Sequence, residues 1–190
     1  MDAIWSYAVG AASIEGLTEE HRRVGEVLSL VSDSDPLLSA PLPSFDFSSP
    51  PVEPAKLAWD LVTSMKAHSG AGLSANQLGL PYRVFASASI PALVCFNPRI
   101  VDYSTETEKL VEGCLSYPGI AVPVVRSKKI RVRYQLVNGE MVSKSLDGIV
   151  ARVFLHEYDH MEGINFMQRT SRFHRERVEN KLRIQKRRQK

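Results

Sequence analysis

The chain has 190 residues, 44% of them hydrophobic, and a formal net charge of +3 at pH 7, a size and composition that predict one domain with a sizeable core. Two cysteines give no disulfide framework, no apolar run approaches transmembrane length, and the acidic start, with Glu15, Glu19 and Glu20, argues against a transit peptide. These features argue against a disulfide-rich secreted protein and a membrane-spanning one, and we expect a soluble, cytoplasmic protein.

The first half of the chain is predicted to hold two helices separated by an irregular segment. Residues from Thr18 to Leu30 have helical character, because their valine and leucine residues fall on one side of a helix. Six of the eleven prolines then lie between Pro36 and Pro54, which predicts an extended, irregular segment. Pro54 begins a second helix, whose apolar residues follow the helical period, and Gly70 ends it.

The second half is predicted to consist of strands followed by one helix. Apolar residues alternate before Asn138-Gly139, a strong signal for a hairpin turn, so two strands are expected to pair around it. Asp147-Gly148 then introduces a helix from Ile149 to Glu162. The predicted strands are residues 82–87, 92–96, 130–136 and 140–146. The fold class that follows is α+β, with antiparallel strands packed around one central helix.

This last helix carries the sequence His156-Glu157-Tyr158-Asp159-His160, an H-E-x-x-H motif. Positions i and i+4 lie on one face of a helix, so both imidazoles can bind one metal ion while Glu157 reaches a water molecule on it. The motif therefore indicates hydrolytic metal chemistry. A solvated helix with this order of residues by chance is the alternative. Asp159 is expected to orient a ligand or cap structure rather than to bind metal.

A cysteine that can complete the metal site lies 42 residues before His156, at Cys114. A thiolate and two imidazoles leave a fourth tetrahedral position open for water, which is the pattern of catalytic sites. Cys114 sits between a glycine and a polar flank, whereas Cys95 lies in an apolar run and is predicted to be a small buried hydrophobe. Cys114, His156 and His160 are the predicted metal ligands.

A third segment, from Gly70 to Gln77, follows the predicted second helix. Its two glycines let a backbone come close to a ligand, and Gln77 offers a side-chain amide donor. Taken in chain order, the three segments resemble the signature segments of peptide deformylases: G-A-G-L-S-A-N-Q, E-G-C-L-S and H-E-Y-D-H.

The resemblance covers residues 27–170, which form the predicted catalytic domain. Residues 1–26 are then an N-terminal extension of unknown role, and residues 171–190 a basic C-terminal tail. Two positions depart from the family's pattern. Ser74-Ala75 stands where a pair of alanines is commoner, a mild change in volume. The stretch Gly119–Val122 lacks the arginine that some bacterial members carry there, which bears on the binding of groups beyond the first side chain.

The resemblance implies the reaction and its catalytic groups. The chain would remove the formyl group from the formylmethionine of nascent polypeptides, giving formate and a free amino terminus. Glu157 would take the proton of the attacking water and hand it to the leaving amine. The Gln77 amide and the Leu115 backbone N–H would stabilise the oxyanion. One divalent metal ion per chain is implied, with Fe(II) as the native ion and Zn(II), Ni(II) or Co(II) as alternatives.

The resemblance also implies the residues that bind the N-formylmethionyl peptide. The backbone of Ala71 and Gly113 would pair with the substrate strand, with Gly72 beside them. Ile149 and Val153 lie on the helix face that carries the first histidine and would line the methionine pocket. Ordinary core packing is the alternative for these two side chains.

A zinc endopeptidase of the H-E-x-x-H type is an alternative function. One large class of these enzymes needs a glycine three residues after the second histidine and a third histidine six residues after it. Gly163 fits, but Phe166 stands in the place of the histidine. A glutamate as third ligand could only be Glu176 or Glu179, which lie in a polar stretch poorly suited to a buried site. Cys114 supplies the third ligand more simply.

The C-terminal stretch from Arg169 to Lys190 has a strong positive charge. It holds ten lysine or arginine residues against two glutamates, a local net charge of +8, so the other 168 residues carry −5. Such a stretch predicts binding to nucleic acid or another anionic surface, and by resemblance to some bacterial deformylases that surface would be the ribosome. The alternatives are a solvated helix end and, for the whole chain, a non-enzymatic nucleic-acid-binding protein.

Overall fold

The structure, a computed structural model, describes residues 14–15, 17, 25–88 and 92–188. The α-helices in these residues are α1 (Pro54–Ala67), α2 (Gly148–Met161) and α3 (Arg172–Arg188). The strands are β1 (Gly72–Ser74), β2 (Val84–Ser87), β3 (Leu93–Tyr103), β4 (Thr107–Gly113), β5 (Ala121–Ser127), β6 (Lys129–Gln135) and β7 (Met141–Asp147). Short 3-10 helices span Pro36–Ser39, Ala75–Leu78 and Phe166–Arg169.

Two antiparallel sheets pack against the second helix. One has five strands in the order β1-β2-β3-β6-β7, and the other is formed by β4 and β5. The helix α2 contacts β1, β2, β6 and β7 of the first sheet and β5 of the second. The predicted α+β class, with antiparallel strands around one central helix, is confirmed. None of the helices in the described part of the chain is long and apolar enough to cross a membrane.

The middle of the five-stranded sheet is buried on both faces. Val84 and Ala86 of β2 belong to the hydrophobic cluster that includes α1, whereas Phe85 between them belongs to the cluster of α2. The rings of Phe85 and Phe154 meet edge to face, with their centroids 5.0 Å apart. Cys95 on β3 is fully buried in the same cluster, as predicted. Strands buried on two faces have continuous apolar runs rather than alternating ones.

The helix α2 is buried along most of its length, although many of its residues are polar. It begins directly after β7, at Gly148, whose φ of 57° lies in the left-handed region. From Ala151 to Met161 every residue except Tyr158 is buried. The buried polar residues are Arg152, His156, Glu157, Asp159 and His160. Polar groups at this depth need hydrogen-bond partners or a metal ion.

The segment before α1 differs from its prediction. Residues 25–30, the described end of the helix predicted from Thr18 to Leu30, have no regular secondary structure, and most of the remainder lies outside the described residues. The segment lies against α1 instead, where the N–H of Leu28 donates to Ser64 Oγ at 2.9 Å. In this extended stretch Leu28 and Leu30 pack against the core that includes α1, whereas Val27 is exposed.

The hairpin of β4 and β5 is a part of the fold that the sequence did not predict. The two strands pair from Thr107 with Ser127 to Gly113 with Ala121. Pro123 interrupts the strand pattern of β5, and the buried Arg126 occupies a position where an apolar residue is expected. This hairpin is nevertheless essential to the site, because it carries the predicted cysteine ligand to α2.

Candidate metal centre and substrate cavity

The three predicted metal ligands lie together. His156 and His160 project from successive turns of α2, and Cys114 follows β4. One ligand atom from each of the three lies within 4.8 Å of the others, and Cys114 Sγ is 3.3 Å from His160 Nε2. Within the described ranges, this is the group of histidine, cysteine and acidic side chains that is arranged to hold a metal ion.

The alternative ligands of a zinc endopeptidase do not reach this group. Phe166, in the place of a third histidine, packs against the ring of His156, with the centroids 5.7 Å apart. Glu176 accepts a hydrogen bond from Arg172 at 2.6 Å on the exposed side of α3, and Glu179 is exposed as well. Of these candidates, Cys114 is therefore the one that lies beside the two histidines.

Glu112, two residues before Cys114, fixes the orientation of His156. Its Oε2 atom lies 3.1 Å from His156 Nδ1, and its side chain is 1% exposed. Because this bond occupies Nδ1, Nε2 of the ring is left for a metal ion. Arg126 donates to the same carboxylate through Nε at 2.7 Å and Nη2 at 2.8 Å. The motifs assign Glu112 no role, although an acidic residue so close to a predicted ligand is a signal for one.

A chain of buried ion pairs continues from Glu112 to the start of the basic tail. Arg152 Nη1 donates to Glu112 Oε1, and Arg126 Nη1 to Asp159 Oδ2, both at 2.8 Å. Arg169 Nη2 donates to Asp159 Oδ1 at 2.7 Å. Asp159 thus anchors arginines, in agreement with the expectation that it supports structure. Burial alone would raise the pKa of Glu112, but Arg126 outweighs it and holds this pKa well below its ordinary value.

The charges around the three ligands fit a metal cation. Burial alone would raise the pKa of Cys114, but the imidazoles, His160 above all, outweigh it, so the thiol pKa lies well below its ordinary value. Burial alone would lower the pKa of His156, but hydrogen bonds to Cys114 and Glu112 raise it to about 10. The Cys114 thiolate therefore favours a positive charge in the space between the rings, which a divalent ion would supply.

Glu157 borders the same space. Its side chain is buried, and burial is the main reason why its pKa is raised above the ordinary value. Ser74 Oγ donates to Glu157 Oε2 at 3.0 Å. A Cβ atom at position 72 would collide with Glu157 Oε1, so Gly72 has to be glycine while this carboxylate keeps its place. The close approach at Gly72 is therefore made by the Glu157 side chain of the chain itself.

The Gln77 amide points its nitrogen at the ligand cluster. Nε2 donates to Ser116 Oγ at 3.0 Å and to Cys114 Sγ at 3.4 Å. Oε1 accepts the backbone N–H of Ser74 at 3.0 Å, as part of the capping box at the 3-10 helix Ala75–Leu78. Because Ser74 fixes the amide oxygen, the amide nitrogen points toward the candidate metal ligands. A donor to an oxyanion must be fixed beforehand, with its N–H directed at the position where the negative charge develops.

A cavity of about 440 Å³ opens at the ligand cluster. Eight predicted site residues line it: Ala71, Gly72, Gln77, Gly113, Cys114, Leu115, His156 and Glu157. The other lining residues are Ser69, Gly70, Tyr117, Gly119, Ile120 and Ala121. Ile149 and Val153 are not in this lining, since Ile149 is half-buried elsewhere on α2 and Val153 is buried. Their place in the methionine pocket stays a prediction.

Backbone groups that could bind an extended peptide flank the cavity. β1 is the edge strand of its sheet, and Gly113 ends β4 on the other side. An extended peptide can add to such an edge through main-chain hydrogen bonds. The carbonyl oxygen of Ala71 already accepts the N–H of Ala88 at 2.7 Å. Pairing with a substrate must therefore use other backbone groups of residues 70–72.

Known proteins are similar in sequence to this chain over most of its length. The family model described as Polypeptide deformylase matches residues 27–176. A peptide deformylase of Thermotoga neapolitana is 43% identical over 110 residues, which are 57% of this chain and 67% of that protein. Peptide deformylase 1B, chloroplastic/mitochondrial, of Arabidopsis thaliana is 37% identical over 148 residues, which are 75% of this chain and 54% of that protein.

Solved structures have the same fold. The crystal structure of peptide deformylase from Thermotoga maritima is similar with a TM-score of 0.69 and 35% identity, over 77% of this chain and 99% of that one. The Met-Ala-Ser-bound class I type b peptide deformylase from Acinetobacter baumannii gives a TM-score of 0.72 and 30% identity, over 76% and 99%. The chain therefore belongs to the polypeptide deformylase family and is a metal-dependent hydrolase that removes the N-formyl group from nascent polypeptides.

Proposed function

We propose that Cys114, His156 and His160 hold one divalent metal ion per chain, and that deformylation takes place beside it in the cavity. The observation that carries this proposal is the convergence of a thiol and two imidazoles, with ligand atoms within 4.8 Å, at a cavity that Glu157 also lines. A divalent ion supplies a nucleophile at neutral pH, because it lowers the pKa of a bound water from about 15.7 toward about 7.

Glu157 is the proposed proton carrier. It takes the proton of the attacking water and delivers it to the amine that leaves the formyl carbon. Burial raises its pKa above the ordinary value, which brings the group closer to the pH at which it must both accept and release a proton. Its contact with Ser74 and its fit against Gly72 hold the carboxylate in one place during this exchange.

The Gln77 amide and the backbone N–H of Leu115 are the proposed donors to the oxyanion. Ser116 holds one N–H of the amide at 3.0 Å, and the contact of Nε2 with Cys114 Sγ is longer, at 3.4 Å. The second N–H of the Gln77 amide is therefore available to donate to the substrate oxygen as that oxygen becomes negatively charged. One such donor is worth about 2.7–4 kcal/mol in the transition state.

The proposed substrate is an N-formylmethionyl peptide in extended form. Its backbone pairs with groups of Ala71, Gly72 and Gly113, and Ile149 and Val153 line the methionine pocket. No lysine or arginine lines the cavity within the described residues. The substrate residues that follow the formylmethionine are therefore bound by main-chain hydrogen bonds and apolar contacts rather than by a charged side chain.

Fe(II) is the proposed native metal, with Zn(II), Ni(II) or Co(II) as functional replacements. One thiolate and two imidazoles suit all four ions, so availability and geometry select among them. The proposed compartment is the cytoplasm, where reducing conditions protect the Cys114 thiolate. Both cysteines are free thiols in the structure, which agrees with this location.

The basic tail is the proposed ribosome contact. Thr170 Oγ1 donates to the carbonyl of Pro123 at 2.6 Å, and Val178 packs against the apolar cluster of Val122 and Phe166. The proposed catalytic domain is residues 27–170 and the proposed tail is residues 171–190, with Val178 of the tail in contact with the domain. Residues 1–26 are the proposed N-terminal extension, and within them Ile14 is buried in the core cluster that includes α1.

Release of formate from formyl-Met-Ala-Ser tests the proposed function. The protein is purified without oxygen, its metal is removed, and Fe(II), Zn(II), Ni(II) and Co(II) are restored in turn. We expect no turnover without metal and the highest turnover with Fe(II). An unformylated Met-Ala-Ser control should give no product. Cleavage of a peptide bond in place of formate release would contradict the proposal.

A further inference from the structure

We infer that Ser74 is a positioning residue, whose hydroxyl joins the carboxylate of Glu157 and the amide of Gln77 into one hydrogen-bonded unit. The inference rests on the roles proposed above for these two side chains. Alanine is commoner at this position in the family, so the sequence alone indicates only a mild change in side-chain volume.

The geometry places the Ser74 hydroxyl between two reacting groups. Ser74 ends β1 and is fully buried. Its Oγ atom lies 3.0 Å from Glu157 Oε2 and 3.1 Å from Gln77 Oε1. One residue thus contacts both the proton carrier, 83 positions along the chain, and the oxyanion donor, 3 positions away.

A hydroxyl has a single proton and can donate it to only one of these acceptors at a time. Gln77 Oε1 already accepts the Ser74 backbone N–H at 3.0 Å. Among the described residues, the hydrogen-bond donor to the Glu157 carboxylate is Ser74. A charged acceptor also forms the stronger bond. While Glu157 is ionised, the Ser74 proton therefore points at Oε2.

The other carboxylate oxygen is held by packing. Gly72 leaves the space that Glu157 Oε1 occupies, and any larger residue would push it out. Ser74 and Gly72 together hold the carboxylate at both oxygens. Oε2 is fixed by a hydrogen bond, so Oε1 is the oxygen left to exchange a proton with water.

The same hydroxyl also sets the position of the amide. Ser74 Oγ lies 3.1 Å from Gln77 Oε1, so one buried oxygen keeps the carboxylate and the amide at a fixed separation. An alanine at position 74 would remove this spacer from both side chains at once. Ser74 therefore acts on the oxyanion donor as well as on the proton carrier.

The test compares Ser74→Ala with Ser64→Ala. Ser64 is also fully buried, and its Oγ accepts the N–H of Leu28 at 2.9 Å, away from the cavity. We expect Ser74→Ala to lower kcat roughly tenfold, the loss of about one charge-assisted hydrogen bond, while KM and metal content stay unchanged. Ser64→Ala should lower thermal stability without changing kcat.

A double-mutant cycle with Gln77→Leu tests the link to the amide. If Ser74 acts partly through Gln77, Ser74→Ala should cost less in the Gln77→Leu background than in the wild type. Equal costs in both backgrounds would overturn the link, and an unchanged kcat or a loss of metal in Ser74→Ala would overturn the positioning role. A wild-type protein without formate release would instead contradict the proposed function itself.

Discussion

Nδ1 of His156 lies 3.1 Å from Oε2 of Glu112, a buried carboxylate 44 positions earlier in the chain. Arg126 and Arg152 neutralise this carboxylate from the other side, each within 2.8 Å. The arginines thereby hold the carboxylate in place, and the carboxylate orders the imidazole. The candidate metal ligands on α2 and the hairpin of β4 and β5 are joined through this pair.

Glu112→Gln is expected to weaken metal binding by about 10–100-fold, because the ring loses the partner that orders it. Chelator competition measures this affinity. The change also leaves Arg152 without its buried counter-charge, whereas Arg126 keeps its pair with Asp159, and the loss costs about 3–5 kcal/mol of unfolding free energy in urea titration. Glu106→Gln, which removes a 60% exposed carboxylate paired with Lys128, is the control and should change stability by less than about 0.5 kcal/mol. Wild-type metal affinity in Glu112→Gln would refute the ordering role.

Replacement of Cys114, His156 or His160 by alanine should remove metal and activity together. Glu157→Ala should keep the metal and lose turnover, since it removes proton transfer alone. Metal content by atomic emission and formate release, measured on the same samples, separate the two classes. The assignment of roles would be wrong if Glu157→Ala lost its metal while Cys114→Ala kept it.

The Fe(II) form should lose activity in air or peroxide, because a thiolate bound to a redox-active ion is open to oxidation. The Zn(II) and Ni(II) forms should last longer under the same exposure. Activity is followed over time, and the oxidation state of Cys114 is read by mass spectrometry, with Cys95, which is fully buried, as the internal control. The same rate of decay for all three metals would contradict this explanation.

Gln77→Leu should reduce kcat roughly a hundredfold or more, with little change in KM or metal content, because the amide acts on the transition state. Steady-state kinetics on formyl-Met-Ala-Ser measure both constants. A higher KM with unchanged kcat would show that Gln77 binds the substrate in its ground state.

A chain that ends at Glu179 should lose salt-sensitive binding to ribosomes and keep tripeptide turnover, since it retains Val178 and its packing. Two double variants, each of which removes two positive charges, test whether the position of the charge matters. Arg177→Gln with Arg183→Gln removes two exposed cations from α3, and Arg131→Gln with Arg133→Gln removes two from β6. Only the α3 pair should reduce the salt dependence of co-sedimentation, by about two released counterions. Equal effects of the two pairs would point to net charge rather than to the tail.

The grouping of the three candidate metal ligands was largely predictable, because its signals are local or chemically distinctive. The i and i+4 spacing of His156 and His160 needs only a helix, and Asn138-Gly139 marks a hairpin by its backbone preference. Cys114 was separable from Cys95 by its polar flanks, and the structure places Cys95 in the core as expected.

The features of the fold and site that were not predicted depend on contacts between distant parts of the chain. The pairing of Glu112 with Arg126 makes two charged residues acceptable on buried strand faces, and this pairing cannot be read from either strand alone. β4 and β5 were missed for the same reason. The need for glycine at position 72 likewise follows from the Glu157 side chain, which approaches it from another element.

Because the two thiols are buried to different degrees, their reactivity can report both metal loading and unfolding. Cys95 is enclosed in the core, whereas Cys114 lines the cavity. A coloured thiol reagent should find no reactive sulfur in the metal-loaded fold, one after a chelator has taken the ion, and both after unfolding. Thiol counts on one sample before chelation, after chelation and after unfolding can therefore report how many molecules are loaded, metal-free or unfolded, even for variants that have no activity to follow.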